Sequence, residues 1–150
     1  MLVRIESPRQ EDVLALLSAL DAYLEALYPP ASNHILPIEA LCAPHVRFFV
    51  ARDDAAALGC GALLIGKTGY AEVKRMFVAP DARGRGVGRQ ILRCIEERAV
   101  LEGLTLSRLE TGIHQPEALA LYRASGYAVC APFGQYRADP LSVFMEKRLQ

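Results

Sequence analysis

No apolar run in this sequence approaches the ~20 residues of a membrane-spanning helix, although 52% of its residues are apolar. The apolar residues are therefore expected to fill a core, with no membrane partner. Charge of neither sign is in surplus, because 17 Lys and Arg balance 17 Asp and Glu. A protein that tracks nucleic-acid phosphates carries a basic excess, so nucleic acid is not expected as a partner. The opening Met1-Leu2-Val3-Arg4-Ile5-Glu6 shows no basic segment running into an apolar stretch and a small-residue cleavage site. No secretory leader is read, and the cytoplasm is the expected location. Cysteine is sparse: Cys42, Cys60, Cys94 and Cys130 stand far apart, among apolar neighbours and without metal-ligand spacing. Reduced core thiols and no metal site are the expectation. No repeat, low-complexity tract or linker interrupts the chain, so residues 1–150 are read as a single domain, long enough to bury a core.

What is present alternates between two periodicities. Residues 2–5 read as a short strand. Ser7 then stands as an N-cap, with Pro8 in the first turn and Gln10 completing a capping box. Val13, Leu16, Leu17, Leu20, Leu24 and Leu27 follow at helical spacing, until Pro29-Pro30 stops the helix. Residues 37–42 suit a short second helix. Residues 46–52, 57–65 and 70–78 read as strands, with turns at Asp53-Asp54 and Lys67-Thr68-Gly69. A long helix from Gly86 to about Glu102 buries Val87, Ile91, Ile95 and Ala99, and Gly103 ends it. A strand at 105–111, a helix at 116–125 and closing strands at 127–130 and 142–147 complete the chain. The order β-α-α-β-β-β-α-β-α-β-β makes an α/β (α+β) domain around one mixed sheet.

Two glycine-rich segments compete for an anion. Gly61-Ala62-Leu63-Leu64-Ile65-Gly66-Lys67-Thr68 matches the P-loop pattern letter by letter. That pattern works only as a flexible loop leading into a helix at the lysine. Here the middle is a buried-strand sequence and another strand follows, so the match is coincidental. Arg83-Gly84-Arg85-Gly86-Val87-Gly88 instead lies between a strand and an amphipathic helix. Its glycines admit close approach of a ligand to the backbone, and the first helical turn offers unpaired N–H groups to an anion. Arg75, Arg83, Arg85, Arg89 and Arg93 cluster around it. The dinucleotide spacing G-x-G-x-x-G fails, because Arg89 occupies the third glycine position.

Arg83-x-x-Gly86-x-Gly88 resembles the [Q/R]-x-x-G-x-[G/A] signature of the GNAT superfamily of N-acetyltransferases. Val73-Lys74-Arg75-Met76-Phe77-Val78-Ala79-Pro80 is similar to that family's fourth strand. Ala118-Leu119-Ala120-Leu121-Tyr122-Arg123-Ala124-Ser125-Gly126-Tyr127 resembles its A-x-x-L-Y-x-x-x-G-[F/Y] segment. The resemblance is motif-grade from about Glu72 to Tyr127 and covers nearly the whole chain through element order. It extends to a bacterial subfamily of small acetyltransferases of uncharacterised activity. It implies the acyl-CoA N-acyltransferase fold, with a mixed, mostly antiparallel sheet flanked by helices.

It also implies acetyl-CoA as co-substrate. The pyrophosphate would lie on the backbone of Arg83, Gly84, Arg85, Gly86, Val87 and Gly88, and the pantetheine arm along Phe77 and Val78. Where the family often has Asn, seven residues before the tyrosine, this sequence has Gln115, whose amide can still donate and accept.

Acetyl transfer needs a neutral amine, a route for its surplus proton, a donor to the oxyanion and a proton for the departing thiolate. Family members transfer directly, in keeping with the lack of a Ser or Cys nucleophile motif. By resemblance Tyr122 is the general acid. Glu72 is the first choice of base, with Glu110, ending the next strand, as the alternate. The loop Tyr28-Pro29-Pro30-Ala31-Ser32-Asn33-His34 and the segment Pro132-Phe133-Gly134-Gln135-Tyr136 are expected to shape the acceptor pocket. There Tyr28, His34 and Arg75 are the candidate substrate contacts, and Arg75 or Lys74 could hold an acceptor carboxylate. The expected acceptor is a small-molecule amine. Protein or peptide acetylation and a non-catalytic acyl-CoA sensor are the alternatives. Homodimers are common in the family.

Overall fold

The structure, a computed structural model, describes residues 1–66 and 69–150. The expected turn at Lys67-Thr68 lies outside the described residues. The strands are β1 (Leu2–Ile5), β2 (Val46–Asp53), β3 (Ala56–Ile65), β4 (Ala71–Val78), β5 (Leu106–Gly112), β6 (Ala128–Val129) and β7 (Ser142–Arg148). They form one seven-stranded sheet in the order β1-β2-β3-β4-β5-β7-β6. Neighbours are antiparallel except β4 and β5, which run parallel. The helices are α1 (Glu11–Leu27), α2 (Ile38–Leu41), α3 (Val87–Leu101) and α4 (Pro116–Ala124). This is the mixed, mostly antiparallel sheet flanked by helices that the sequence implied. Among the described residues no helix is long and apolar enough to cross a membrane.

The apolar stripes divide the core in two. Val13, Leu16, Leu17 and Leu20 of α1 pack on one face of the sheet against Phe48, Val50, Cys60, Ala62 and Phe77. Val87, Ile91, Leu92, Ile95 and Ala99 of α3 cover the other face, against Phe49, Leu63, Val73, Leu109 and Met145. Ile91, Ile95 and Leu92 are at most 1% exposed. Each such side chain stabilises the fold by about 1.5–3 kcal/mol relative to exposure.

One departure from the sequence reading has a local cause. The capping box at Ser7 does not form, and α1 begins one turn later, at Glu11. Ser7 Oγ accepts from the Arg9 amide at 3.1 Å, and Gln10 Nε2 donates to the Ser7 carbonyl at 2.9 Å. The same residues therefore close a turn ahead of the helix rather than its first coil. The P-loop look-alike is a strand, as the sequence reading expected, because Gly61 to Ile65 lie inside β3.

β4 carries the feature that opens the site. Its register to β3 passes from Ala62 opposite Lys74 to Cys60 opposite Phe77, so Gly61 faces two residues, Arg75 and Met76. Arg75 takes the extra place with φ +60°, a conformation that costs a non-glycine residue free energy and recurs beside functional sites. The bulge reverses the strand's alternation: Val73 belongs to the α3 core, whereas Phe77 belongs to the α1 core. On its other side β4 pairs with β5 only from Ala71 to Val73. Beyond Val73 the strands part, because β5 continues along β7 as far as Gly112 opposite Ser142.

Candidate active site

Among the described residues, two cavities meet beyond the point where β4 parts from β5. The larger, about 550 Å³, runs from the start of α3 along the free edge of β4. Phe77, Val78, Arg83, Gly84, Gly86, Val87, Gly88 and Arg89 line one side, and Ala118, Leu121 and Tyr122 of α4 the other. Gly86 is the N-cap of α3 in the left-handed region, φ +77°. A Cβ placed on Gly84 or Gly86 would meet nothing within 4 Å, so the space before the first helical amides is open. Those amides have no intrahelical acceptor and point at the cleft. Together with the helix dipole they make a site for an anion.

The expected arginine cluster is only partly there. Arg83 and Arg89 line the cleft. Arg83 donates through Nε to the Val78 carbonyl at 3.2 Å, its guanidinium 5.7 Å from the Phe77 ring centroid. Arg85 turns away to pair with Asp53 at 3.0 Å on the surface, and Arg93 pairs with Glu97 at 3.1 Å. Gly84, with φ +77°, turns the backbone between Arg83 and Arg85, so the two side chains leave the loop in different directions.

The smaller cavity, about 80 Å³, lies between α1, β4 and β5. Tyr28, His34, Lys74, Arg75, Glu110 and Thr111 are among the residues that line it. Leu20, Met76, Gln115 and Tyr122 line both cavities and mark where they meet. Tyr122 is only 6% exposed. Burial, then the charge of Glu110, raises the pKa of its phenol, and no hydrogen bond contributes. A buried tyrosine hydroxyl normally finds a partner; this one faces the junction of two cavities instead.

The three expected acceptor contacts, Tyr28, His34 and Arg75, all line the small cavity. Arg75 Nη1 donates to Asp21 of α1, while its Nε is buried with no partner among the described residues. Tyr28 donates to Gln115 Oε1 at 3.2 Å and accepts from the His114 amide at 3.1 Å. His34 meets the Tyr136 ring edge-on at 5.1 Å. The first expected loop is tied just beyond the second, since Ser32 Oγ donates to Asp139 at 2.7 Å. The first loop lines the cavity, and Tyr136 of the second backs it through His34 and Lys74.

The two candidate carboxylates part company. Glu72 lines neither cavity. Tyr136 Oη donates to its Oε2, and Lys74 Nζ lies 3.9 Å away. In the parallel register Glu72 stands opposite Arg108, so Glu110 lies two residues further along, where the strands have separated. Glu110 does line the cavity. Burial raises its pKa above the usual carboxylate range, against the opposing hydrogen bond from Ser142 Oγ at 2.8 Å and the charges of His34 and Lys74. Burial also lowers the pKa of Lys74, which the charges of Glu72 and Glu110 oppose.

Asp21, Met76 and Thr111 were not singled out from the sequence. Asp21 had a legible signal, a carboxylate beside Leu17, Leu20 and Leu24 on the buried stripe of α1. Among the described residues no group of three His, Cys, Asp or Glu could hold a metal ion.

Comparison with known proteins bears on the same region. The family model described as "Acetyltransferase (GNAT) domain" matches residues 44–129, from β2 through α4 to β6. An IAA acetyltransferase of Azospirillum brasilense is 51% identical over 145 residues, covering 96% of this chain and 95% of the relative. A Klebsiella pneumoniae protein, provisionally named an acyl-CoA N-acyltransferase, superposes with a TM-score of 0.84. It is 37% identical, with 99% of this chain and 97% of that one covered. The PaiA N-acetyltransferase of Thermoplasma acidophilum, solved with coenzyme A, shares the fold at a TM-score of 0.72 and 18% identity, with 99% of each chain covered.

Proposed function

The chain belongs to the GNAT acetyltransferase family, and from that premise we propose that it moves the acetyl group of acetyl-CoA onto the primary amine of a small molecule held in the cavity between α1, β4 and β5. One observation carries this reading: Tyr122 presents a hydroxyl with no partner among the described residues where a long, anion-ready cleft meets a small polar cavity. The cleft suits a donor with a phosphate end and an extended arm. The fold neighbour bound to coenzyme A supports that choice. A cavity of about 80 Å³ suits a small amine better than a peptide segment. The buried, unpartnered Nε of Arg75 supports an acceptor that also carries a carboxylate.

In this reading the amine nitrogen attacks the thioester carbonyl carbon directly. The C–S bond then breaks, and the leaving sulfur takes its proton from Tyr122. The surplus amine proton passes to Glu110, whose raised pKa brings it nearer the pH at which it must exchange that proton. The role falls to Glu110 rather than to Glu72, whose carboxylate is held by Tyr136 outside the cavity. A carboxylate base works only when ionised. The kcat/KM of the wild type should therefore climb with rising pH through a limb lying above ordinary carboxylate values. Glu110→Gln should lower the rate and flatten that limb. An unchanged limb in the variant assigns it to another group.

The binding step can be tested before any acceptor is known. At ~100 times its dissociation constant, acetyl-CoA stabilises a binding protein by about 2.7 kcal/mol, or roughly 5–10 °C in melting temperature for a chain of this size. ATP and NAD serve as controls and should leave the transition in place. No shift at millimolar acetyl-CoA would remove the donor from the proposal. Given a shift, a screen of free amines against peptides, read by thiol release, identifies the acceptor class.

A further inference from the structure

Tyr28 closes α1, and its ring crosses to the turn between β5 and α4. There it stacks on His114, with centroids 5.6 Å apart and 21° between planes. The crossing is possible because residue 112 is glycine, since a Cβ there would overlap the Tyr28 hydroxyl. Asn33 Nδ2 holds the Tyr28 carbonyl at 3.1 Å, so the residue is fixed at both ends. Its hydroxyl lies between two groups of unequal character. The His114 amide can only donate to it, at 3.1 Å. The single hydroxyl proton is thereby left for Gln115 Oε1, at 3.2 Å. The Gly112 amide donates to the same Oε1, also at 3.2 Å.

Both lone pairs of the Gln115 carbonyl are thus occupied by donors. Flipping the amide would set NH₂ against the Gly112 N–H, donor against donor. The orientation follows from the hydrogen-bond network: Oε1 faces the turn and Nε2 is left over. Nε2 has no protein acceptor among the described residues and is not among the buried unpartnered atoms. Gln115 lines both cavities where they meet. The chain of donors from His114 through Tyr28 also polarises the amide, which strengthens Nε2 as a donor.

We infer that Tyr28 is a positioning residue for acetyl transfer, its hydroxyl locking the Gln115 amide so that Nε2 donates to a carbonyl oxygen of the donor substrate at the junction of the two cavities. The inference rests on the acetyl-CoA reading above. Tyr28 does not touch the reacting atoms; it acts through Gln115. Two carbonyl oxygens share the required chemistry, that of the thioester and that of an amide in the pantetheine arm.

A double-mutant cycle of Tyr28→Phe and Gln115→Ala tests this, because residues acting in series lose their effect only once. Tyr28→Phe keeps the ring against Gly112 and removes only the hydroxyl. The cycle is read first on melting temperature, which needs no ligand. There the hydroxyl deletion should cost more in the wild-type background than in the Gln115→Ala background, where only the bond from the His114 amide is left to lose. It is then read on kcat/KM, where each single variant should lose roughly three- to tenfold, as for one hydrogen bond, and the double variant no more than Gln115→Ala alone. Affinity for CoA, which has no thioester carbonyl, separates the two oxygens. A loss of CoA affinity in Gln115→Ala assigns the pantetheine amide, and unchanged CoA affinity with lowered turnover assigns the thioester. Multiplying losses in kcat/KM would overturn the positioning role, and independent effects on melting would overturn the relay itself. A wild type that neither binds nor turns over acetyl-CoA would overturn the functional reading and the catalytic half of this one, a result distinct from either.

Discussion

Gly86→Val is expected to weaken acetyl-CoA binding by about 100-fold and to abolish the ligand-induced rise in melting temperature. Gly86 holds φ +77° at the N-cap of α3. A β-branched residue is strained there, by roughly 1–2 kcal/mol on the general scale for the left-handed region. That strain should lower the melting temperature of the free protein by several degrees. The larger effect is on the ligand. A Cβ at this position enters open space, and the valine methyls would stand before the amides of the first helical turn. Losing two charge-assisted hydrogen bonds of about 1.5 kcal/mol each accounts for the 100-fold figure. Arg85→Ala is the control, since Arg85 pairs with Asp53 on the surface and its loss should leave affinity within about twofold. The measurement is calorimetric titration with CoA on both variants, with melting curves to establish folding. A folded Gly86→Val protein that binds like wild type would move the pyrophosphate elsewhere.

That prediction could be framed from the sequence because the anion site is local. Arg83 to Gly88 are six consecutive residues, and glycines at alternate positions before an amphipathic helix have few structural explanations. The acceptor cavity is the opposite case. Tyr28, Arg75 and Glu110 come from three elements far apart in the chain, and nothing in their spacing announces that they converge. The choice between Glu72 and Glu110 shows where the difficulty lies. Both sit on neighbouring strands with similar alternation. What separates them is the point at which β5 leaves β4, after Leu109 opposite Val73. That point is set by the pairing of β5 with β7, more than thirty residues downstream. A bulge in this strand follows from the family resemblance, but its place at Arg75 was equally hidden in the residues. The run Val73-Lys74-Arg75-Met76-Phe77 alternates well enough as a plain strand, and only the register to β3 shows Val73 and Phe77 on opposite faces. The helices and most strands were legible because their periodicity records which face meets the core. Departures came where polar side chains close local turns, as Ser7 and Gln10 do before α1.

Tyr122→Phe is expected to lower kcat by about 100-fold, the lower end of what a positioned proton donor contributes, with acetyl-CoA affinity changed less than about twofold. The substitution removes one oxygen and leaves the ring on Tyr127, 5.9 Å away, so packing is preserved. The ring is buried, the hydroxyl has no hydrogen-bond partner among the described residues, and its pKa is raised. It therefore stays protonated across the working pH range, able to give a proton and unsuited to taking one. Removing a hydroxyl that opens on the cavities and bonds no group among the described residues costs little stability, so the melting temperature should hold or rise slightly. That separates a catalytic hydroxyl from a structural one, whose loss would lower it. The acid role has a second signature. A thioester whose thiol is more acidic than that of CoA needs less help in leaving, so its rate should fall far less in the variant than the rate with acetyl-CoA. If both thioesters slow equally, the hydroxyl serves the carbonyl oxygen and not the leaving sulfur. If neither slows, Tyr122 is only the aromatic wall between the two cavities, and the proton comes from solvent.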